Sequence, residues 1–128
     1  MKNVNILLAD DESAVGPSVS LALRGFGCSV DVVPDGQDAL LRIFTQPGHY
    51  QVLITDDKMK RCSGLELVRQ LRDSRFSGKI VVLSAYLTPE LLESYRGLGV
   101  TGFVAKPFNI SELRMVVQKA AHDLSQHR

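Results

Sequence analysis

The chain has 128 residues, a formal net charge of +1 and a hydrophobic fraction of 45%. This length suits one domain with a single core, and the absence of low-complexity tracts argues against disorder. The 15 basic residues are scattered, and no apolar stretch reaches the roughly 18 residues of a membrane span. We therefore expect one domain over residues 1–128 that binds neither nucleic acid nor membrane.

Two features of the sequence bear on cellular location. The first strand-like run begins a few residues after Met1, so we expect no signal peptide. Cys28 and Cys62 are far apart and lack CxxC spacing, and we interpret them as reduced thiols. We expect a cytoplasmic protein.

Five short strand-like runs alternate with helical patterns along the chain. Three of these runs are almost continuously apolar, as expected for strands of a parallel sheet that is covered on both faces. The predicted strands are residues 5–9, 29–33, 51–55, 79–83 and 102–105.

A helical segment follows each predicted strand. The first includes Val15, the second and third lie near Gly36–Thr45 and Gly64–Asp73, and the fourth begins near Pro89. The fifth begins at Asn109 with a pattern like a capping box. The side chains that we expect on buried helix faces are Val15, Val19, Ala22, Leu23, Phe26, Ala39, Leu40, Ile43, Phe44, Leu65, Val68, Leu71, Leu113, Val116, Val117, Ala120 and Leu124.

Alternating strands and helices predict an α/β domain in which right-handed crossovers place helices on the faces of a parallel sheet. The sequence contains neither GxGxxG nor GxxxxGK[ST], the glycine-rich loops that bind phosphates in dinucleotide-binding and P-loop proteins. We therefore expect neither kind of nucleotide site.

Polar side chains lie at the ends of four predicted strands. Asp10 and Asp11 follow the first strand. Asp56 follows the third, Ser84 the fourth and Lys106 the fifth. The carboxyl ends of parallel strands meet at one edge of a sheet, which is where ligands bind in open α/β folds. We therefore expect these five side chains to form one site.

The chemistry of this predicted site favours a cation and a phosphoryl group. Clustered carboxylates repel one another, and Mg²⁺ prefers carboxylate and phosphate oxygens. An ammonium and a hydroxyl suit the oxygens of a phosphoryl group. Simpler alternatives exist for single residues: Asp10 or Asp11 caps the first helix, Ser84 binds backbone, and Lys106 is solvated. The joint pattern favours the magnesium and phosphoryl site.

Four sequence segments resemble those of receiver domains in two-component response regulators, and the resemblance covers almost the whole chain. The segments are Leu7-Leu8-Ala9-Asp10-Asp11-Glu12, Val52-Leu53-Ile54-Thr55-Asp56 with Met59 and Gly64 downstream, Leu83-Ser84-Ala85, and Phe103-Val104-Ala105-Lys106-Pro107-Phe108. Their order and spacing together are highly specific. The resemblance implies a flavodoxin-like α/β domain: a single doubly wound five-stranded parallel sheet in the order 2-1-3-4-5, with five helices.

The resemblance also implies an acceptor and a metal site. Asp56 would be the phosphoacceptor. Asp11 and Asp56 would bind Mg²⁺ directly together with the carbonyl of Lys58. Asp10 would act largely through water.

The same resemblance implies roles for residues at the ends of the fourth and fifth strands. Lys106 would pair with the phosphoryl group, and the Lys106–Pro107 peptide bond would be cis. Ser84 would bind a phosphoryl oxygen, and Phe103 would be an aromatic switch whose rotamer follows Ser84.

Two residues depart from the receiver pattern. Asp57 occupies a position that is usually apolar, and Lys60 one that is usually proline. We expect Asp57 either to add negative charge beside the site or to need its own cation, such as Lys58 or Lys60. We expect Lys60 to loosen a loop that proline would stiffen. Asp57 is also a second candidate acceptor, although the spacing to downstream residues favours Asp56.

The function implied by the resemblance is a phosphorylation-controlled module of a two-component phosphorelay. A histidine kinase or a phosphotransfer domain would supply the phosphoryl group, and the domain would catalyse only its own phosphorylation and dephosphorylation. The fourth helix, fifth strand and fifth helix would contact a downstream protein, an output domain or a second copy in a homodimer. We expect Arg96 and Arg114 to be exposed on that surface.

Other readings of the same residues remain open. Asp57 and Lys60 suggest a pseudo-receiver that only binds protein. An aspartate-based phosphatase would also use carboxylates and Mg²⁺, but the DxD motif and cap insertion of the haloacid dehalogenase type are absent. No output domain is present in the sequence, so we expect either a free-standing receiver or a receiver from a longer chain.

Overall fold

A computed structural model describes residues 4–126, with side chains described through residue 122. Leu124, predicted on the buried face of the fifth helix, lies outside the described side chains. The strands are β1 (Val4–Ala9), β2 (Cys28–Val33), β3 (Val52–Asp56), β4 (Lys79–Ser84) and β5 (Gly102–Ala105). The helices are α1 (Val15–Leu23), α2 (Gly36–Thr45), α3 (Gly64–Asp73), α4 (Pro89–Gly97) and α5 (Ile110–Gln126).

The strands form one parallel sheet in the order β2-β1-β3-β4-β5. The predicted fold class, strand order and helix number are confirmed. Ala9 at the end of β1 pairs with Thr55, Asp56 pairs with Leu83, and Ser84 pairs with Ala105. This register aligns the carboxyl ends of β1, β3, β4 and β5 at one edge of the sheet.

Two apolar clusters cover the two faces of the sheet, because successive side chains of a strand point to opposite faces. Leu7 and Leu53 belong to the cluster that includes the α3 residue Leu67. Leu8 and Ile54 belong to the cluster that includes the α5 residue Leu113. All six side chains are fully buried, and each such burial stabilises the fold by about 1.5–3 kcal/mol.

Side chains cap the first turns of α2 and α5 but not that of α1. Asp35 accepts a hydrogen bond from the Asp38 N–H at the start of α2, and Asn109 accepts one from the Glu112 N–H at the start of α5. The alternative in which Asp10 or Asp11 caps α1 is wrong, because Ala14 holds the N-cap position and no side chain caps that helix.

Two predictions of side-chain burial are also wrong: Phe44 was expected to be buried and Arg114 to be exposed. Phe44 is 50% exposed, since it lies about 100° around α2 from Ile43, beyond the stripe that faces the sheet. Arg114 is only half-exposed. Its guanidinium donates to the Ala22 carbonyl at 2.6 Å and stacks on the Phe26 ring, so it ties α5 to the end of α1.

None of the helices in the described part of the chain combines the length and the apolar character that crossing a membrane requires.

Candidate functional site

Three carboxylates converge where β1 and β3 end. One oxygen from each of Asp10, Asp11 and Asp56 lies within 4.8 Å of the others. Asp10 and Asp56 are buried, whereas Asp11 is exposed at the rim. Because the two strands are neighbours and end in register, residues that are 45 positions apart in sequence form one acidic group.

Lys106 extends from the end of β5 into this acidic group. Its ammonium lies 2.9 Å from Asp10 Oδ2 and 3.2 Å from Asp56 Oδ2. It also donates to Glu12 Oε1 at 2.7 Å. The lysine side chain is only 11% exposed, so the alternative of a solvated surface lysine is wrong.

Burial and charge act on the titration of this group. Burial of the Asp56 carboxyl raises its pKa, the charge of Asp10 raises it further, and Lys106 opposes both effects. Burial alone would lower the pKa of Lys106, but its close contacts with the carboxylates of Glu12, Asp10 and Asp56 outweigh burial and raise that pKa. Lys106 therefore remains an ammonium, and the site still carries excess negative charge.

The donor set fits a hard divalent cation. Asp10 Oδ1 accepts the Glu12 N–H at 2.9 Å. Asp10 Oδ2 is buried, and no hydrogen bond of favourable geometry from the described residues reaches it, although the Lys106 ammonium is close. Clustered carboxylate oxygens at this spacing are the ligands that Mg²⁺ prefers.

Ser84 lies beside the acidic group, at the end of β4. Its hydroxyl oxygen accepts the Tyr86 N–H at 3.1 Å, and its carbonyl accepts the Lys106 N–H at 3.0 Å. A cleft of about 210 Å³ opens here, and its lining includes Asp11, Asp56, Lys58, Ser84, Tyr86 and Lys106. All the predicted site residues except Phe103 therefore border one cleft or its acidic floor.

Phe103 lies behind the cleft rather than in it. It pairs with Val82 in the sheet, and its half-buried ring meets the Tyr95 ring edge-on, with 6.2 Å between the ring centroids. Its role as a switch stays a prediction.

The Lys106–Pro107 peptide bond is cis, as predicted.

Of the two alternatives for Asp57, the one in which it pairs with a lysine is wrong. Asp57 is buried and accepts a hydrogen bond from the Tyr95 hydroxyl, and its carboxylate forms no ion pair with any described residue. Lys58 and Lys60 are exposed. Asp57 points into the core beneath α4, because it is the next residue after Asp56 and so faces the opposite side of the sheet.

Sequence reasoning also missed how the loop after β3 is held. Lys60 replaces the proline of the family pattern, but Arg61 donates through Nε to the buried Asp35 carboxylate at 2.9 Å. A second guanidinium nitrogen of Arg61 also contacts Asp35. This ion pair fixes the loop to the start of α2. Arg61 itself has a positive φ of 68°, a conformation that residues other than glycine seldom adopt.

Comparison with known proteins gives a consistent result. Residues 6–118 match the family model described as the response regulator receiver domain. The response regulator MprA of Mycobacterium bovis is 36% identical over 113 residues, which are 87% of this chain and 47% of that protein. The transcriptional regulatory protein TrcR of Mycobacterium tuberculosis is 31% identical over 125 residues, 93% of this chain and 47% of its own. The chain thus spans about half the length of these relatives.

Solved structures agree with this match. The chemotaxis protein CheY4 of Vibrio cholerae superposes with a TM-score of 0.82 at 28% identity, covering 91% of this chain and 98% of that one. A response regulator receiver protein from Pseudomonas putida gives a TM-score of 0.83 at 27% identity, covering 93% and 98% of the two chains.

Proposed function

The chain belongs to the response regulator receiver domain family, and on this premise we propose that Asp56 accepts a phosphoryl group and thereby switches a protein-binding surface. The observation that carries the proposal is the placement of one buried carboxylate, Asp56, between two further carboxylates and the Lys106 ammonium. Charge of both signs around a buried nucleophile is the arrangement that phosphoryl transfer uses.

The proposed reaction is transfer from a phosphohistidine of a histidine kinase or a phosphotransfer domain. A carboxylate oxygen of Asp56 forms a bond to phosphorus while the phosphorus–nitrogen bond breaks. The electron pair of the broken bond stays on the imidazole nitrogen, which takes up a proton. The attacking group is the ionised carboxylate, so the positive charge of Lys106 favours the reactive form of Asp56 against burial and the charge of Asp10.

Mg²⁺ is our proposal for the cation. Asp11 and Asp56 would bind it directly with the Lys58 carbonyl, and Asp10 would act largely through water. When bound, Mg²⁺ supplies positive charge that balances the carboxylates and the phosphoryl oxygens.

Lys106 and Ser84 would hold the transferred group. The ammonium exchanges its contact with Asp56 for a phosphoryl oxygen, while Glu12 and Asp10 keep it in position. The Ser84 hydroxyl, at the edge of the cleft, donates to a second phosphoryl oxygen. In this state Phe103 would act as the switch residue.

The donor domain must reach the cleft from outside, and an apolar groove offers a place for it. The groove, of about 610 Å³, runs between α1 and the start of α5 and includes Val15, Leu21, Phe108 and Ile110. Glu12 and Lys106 line the end of the groove that meets the cleft. We propose that the donor binds here.

The downstream partner is proposed on the other side, at α4, β5 and α5, where Arg96 is exposed. Since the chain spans about half the length of its curated relatives, a covalently attached output domain is one such partner, a separate protein is another, and a second copy is a third. We propose one receiver domain over residues 1–128, acting on no substrate but its own Asp56. A cytoplasmic location stays a prediction.

The family match favours neither the phosphatase nor a pseudo-receiver. An activation experiment decides the proposal against the pseudo-receiver. Beryllofluoride with Mg²⁺, a mimic of an acyl phosphate, should shift the backbone amide signals around Asp56, Ser84 and Lys106 in wild type but not in Asp56→Asn. Asp57→Asn, the matched control at the next residue, should keep the shifts. Equal shifts in wild type and Asp56→Asn would exclude Asp56 as the acceptor.

A further inference from the structure

A buried hydrogen bond joins the loop after β3 to α4. The Tyr95 hydroxyl donates to the Asp57 carboxylate, and the two residues are 0% and 7% exposed. A Cβ at Gly64 would lie 2.7 Å from the Tyr95 hydroxyl oxygen, so the glycine provides the space that this oxygen occupies. The bond therefore lies within the core, shielded from competing water.

Asp57 is also bound to the proposed acceptor. Its backbone N–H donates to Oδ1 of Asp56 at 2.8 Å and to the Leu83 carbonyl at 3.2 Å. A change that withdraws Oδ1 of Asp56 from this N–H removes one of the two hydrogen bonds that hold the Asp57 amide. The side chain of the same residue is the one that holds Tyr95.

Tyr95 is the anchor of α4. It is the one buried residue of the helix, and the other eight residues are exposed or half-exposed. Its ring also meets Phe103 edge-on. A helix with so few buried contacts depends for its position on the residue that makes them.

We propose that Tyr95 is a positioning residue that transmits the state of Asp56 to α4 through the Asp57 carboxylate. This inference rests on the proposed function of Asp56. A phosphoryl group on Asp56 adds negative charge beside a buried carboxylate, and like charges repel. The carboxylate that responds is bonded to the anchor of α4. This route is separate from the one through Ser84 and Phe103.

The test removes the hydroxyl and keeps the ring. In Tyr95→Phe, beryllofluoride with Mg²⁺ should shift the amide signals around Asp56 and Lys106 as in wild type. The shifts of the α4 amides should fall to less than half of their wild-type size. A purely structural hydroxyl would lower the melting temperature of this variant and leave the α4 response at its wild-type size, and that result overturns the inference.

A second variant covers the possibility that Tyr95→Phe unfolds with Asp57 left buried and unpaired. The double variant Asp57→Val/Tyr95→Phe replaces both partners by apolar groups, which is often close to neutral for stability. It should fold and show the same reduced α4 response; a full response overturns the inference.

Tyr50→Phe is the matched control. The buried Tyr50 hydroxyl donates to the Asp31 carboxylate at 2.6 Å, and it has no contact with Asp56. We expect a full α4 response in this variant, and a reduction as large as that in Tyr95→Phe would overturn the inference. If wild type shows no shifts even around Asp56, the proposed function fails and the inference fails with it. If the shifts around Asp56 are normal and the α4 response of Tyr95→Phe equals that of wild type, the inference fails while the proposed function stands.

Discussion

The buried carboxylates of Asp10 and Asp56 share one ammonium, that of Lys106, at 2.9 and 3.2 Å. One positive charge between two carboxylates leaves an excess of negative charge in a buried place. Burial and the charge of Asp10 therefore keep the pKa of Asp56 raised in spite of the lysine. This excess negative charge lowers the stability of the domain, and it favours the binding of a cation that would neutralise it.

The first prediction is that Asp56→Asn stabilises the metal-free protein. A raised folded-state pKa means that the wild type gains stability from protonated Asp56 at low pH and loses it as pH rises through that pKa. At neutral pH the free energy of unfolding of the variant should be higher than that of wild type. Urea unfolding measured across pH checks this: the gain should shrink as pH falls through the folded-state pKa of Asp56 and vanish below the unfolded-state pKa. A variant less stable than wild type at neutral pH would contradict the expectation.

The second prediction concerns the cation. Asp11→Ala removes the exposed member of the three carboxylates and should weaken Mg²⁺ binding at least roughly tenfold, which corresponds to about 1.4 kcal/mol. Calorimetric titration measures it. Asp73→Ala, which removes an exposed carboxylate of α3, is the control and should bind Mg²⁺ as wild type does. Equal affinity in wild type and Asp11→Ala would exclude Asp11 as a ligand.

The third prediction concerns the loop after β3. Burial would raise the pKa of Asp35, but the N–H groups of Asp38 and Gln37 and the Arg61 guanidinium outweigh burial and lower it. A lowered pKa contributes stability above the unfolded-state value, and this contribution is lost as pH falls through the folded-state value. Arg61→Ala should lower the free energy of unfolding modestly at neutral pH, since water screens the exposed guanidinium, and by less in acid.

Chemical unfolding at two pH values measures this cost. The control is Arg69→Ala, which breaks an exposed ion pair with Glu66 at 3.6 Å and should cost less than Arg61→Ala. Equal costs for the two variants would show that the contact between Arg61 and Asp35 does not fix the loop.

The fourth prediction is the lifetime of the phosphorylated state. Lys58 and Tyr86 both line the cleft, and Tyr86 is 70% exposed at its mouth. Their side chains narrow the approach of water to the acyl phosphate. Lys58→Ala and Tyr86→Ala should each speed dephosphorylation by roughly threefold, or about 0.7 kcal/mol in barrier. Lys60→Ala, an exposed lysine that does not line the cleft, is the control. Slower dephosphorylation in both Lys58→Ala and Tyr86→Ala would show that these side chains speed the reaction instead of slowing it.

The predictable part of the site follows from the regularity of parallel sheets. Four of the site residues lie at the end of a strand or directly after it: Asp10, Asp56, Ser84 and Lys106. Parallel strands in register bring these ends together, and this does not depend on how the helices pack. The family resemblance then supplied the strand order. The cap of α5 was also predicted correctly, because Asn109 and the Glu112 N–H that it accepts lie within one helical turn of each other.

The contacts that sequence reasoning missed join elements that are distant in the chain. Tyr95 and Asp57 are 38 positions apart, and Arg61 and Asp35 are 26 apart. Each partner alone has an ordinary explanation, because a tyrosine on a helix or an arginine in a loop carries no sign of its partner. Only the packing of α4 and of the loop after β3 decides these pairs.

The central claim is that Asp56 accepts the phosphoryl group, and phosphorylation followed by intact mass tests it most directly. Wild type, Asp56→Asn and Asp57→Asn would be incubated with acetyl phosphate and Mg²⁺. We expect wild type and Asp57→Asn to gain the mass of one phosphoryl group and Asp56→Asn to gain none. No gain in wild type, or an undiminished gain in Asp56→Asn, would contradict the account.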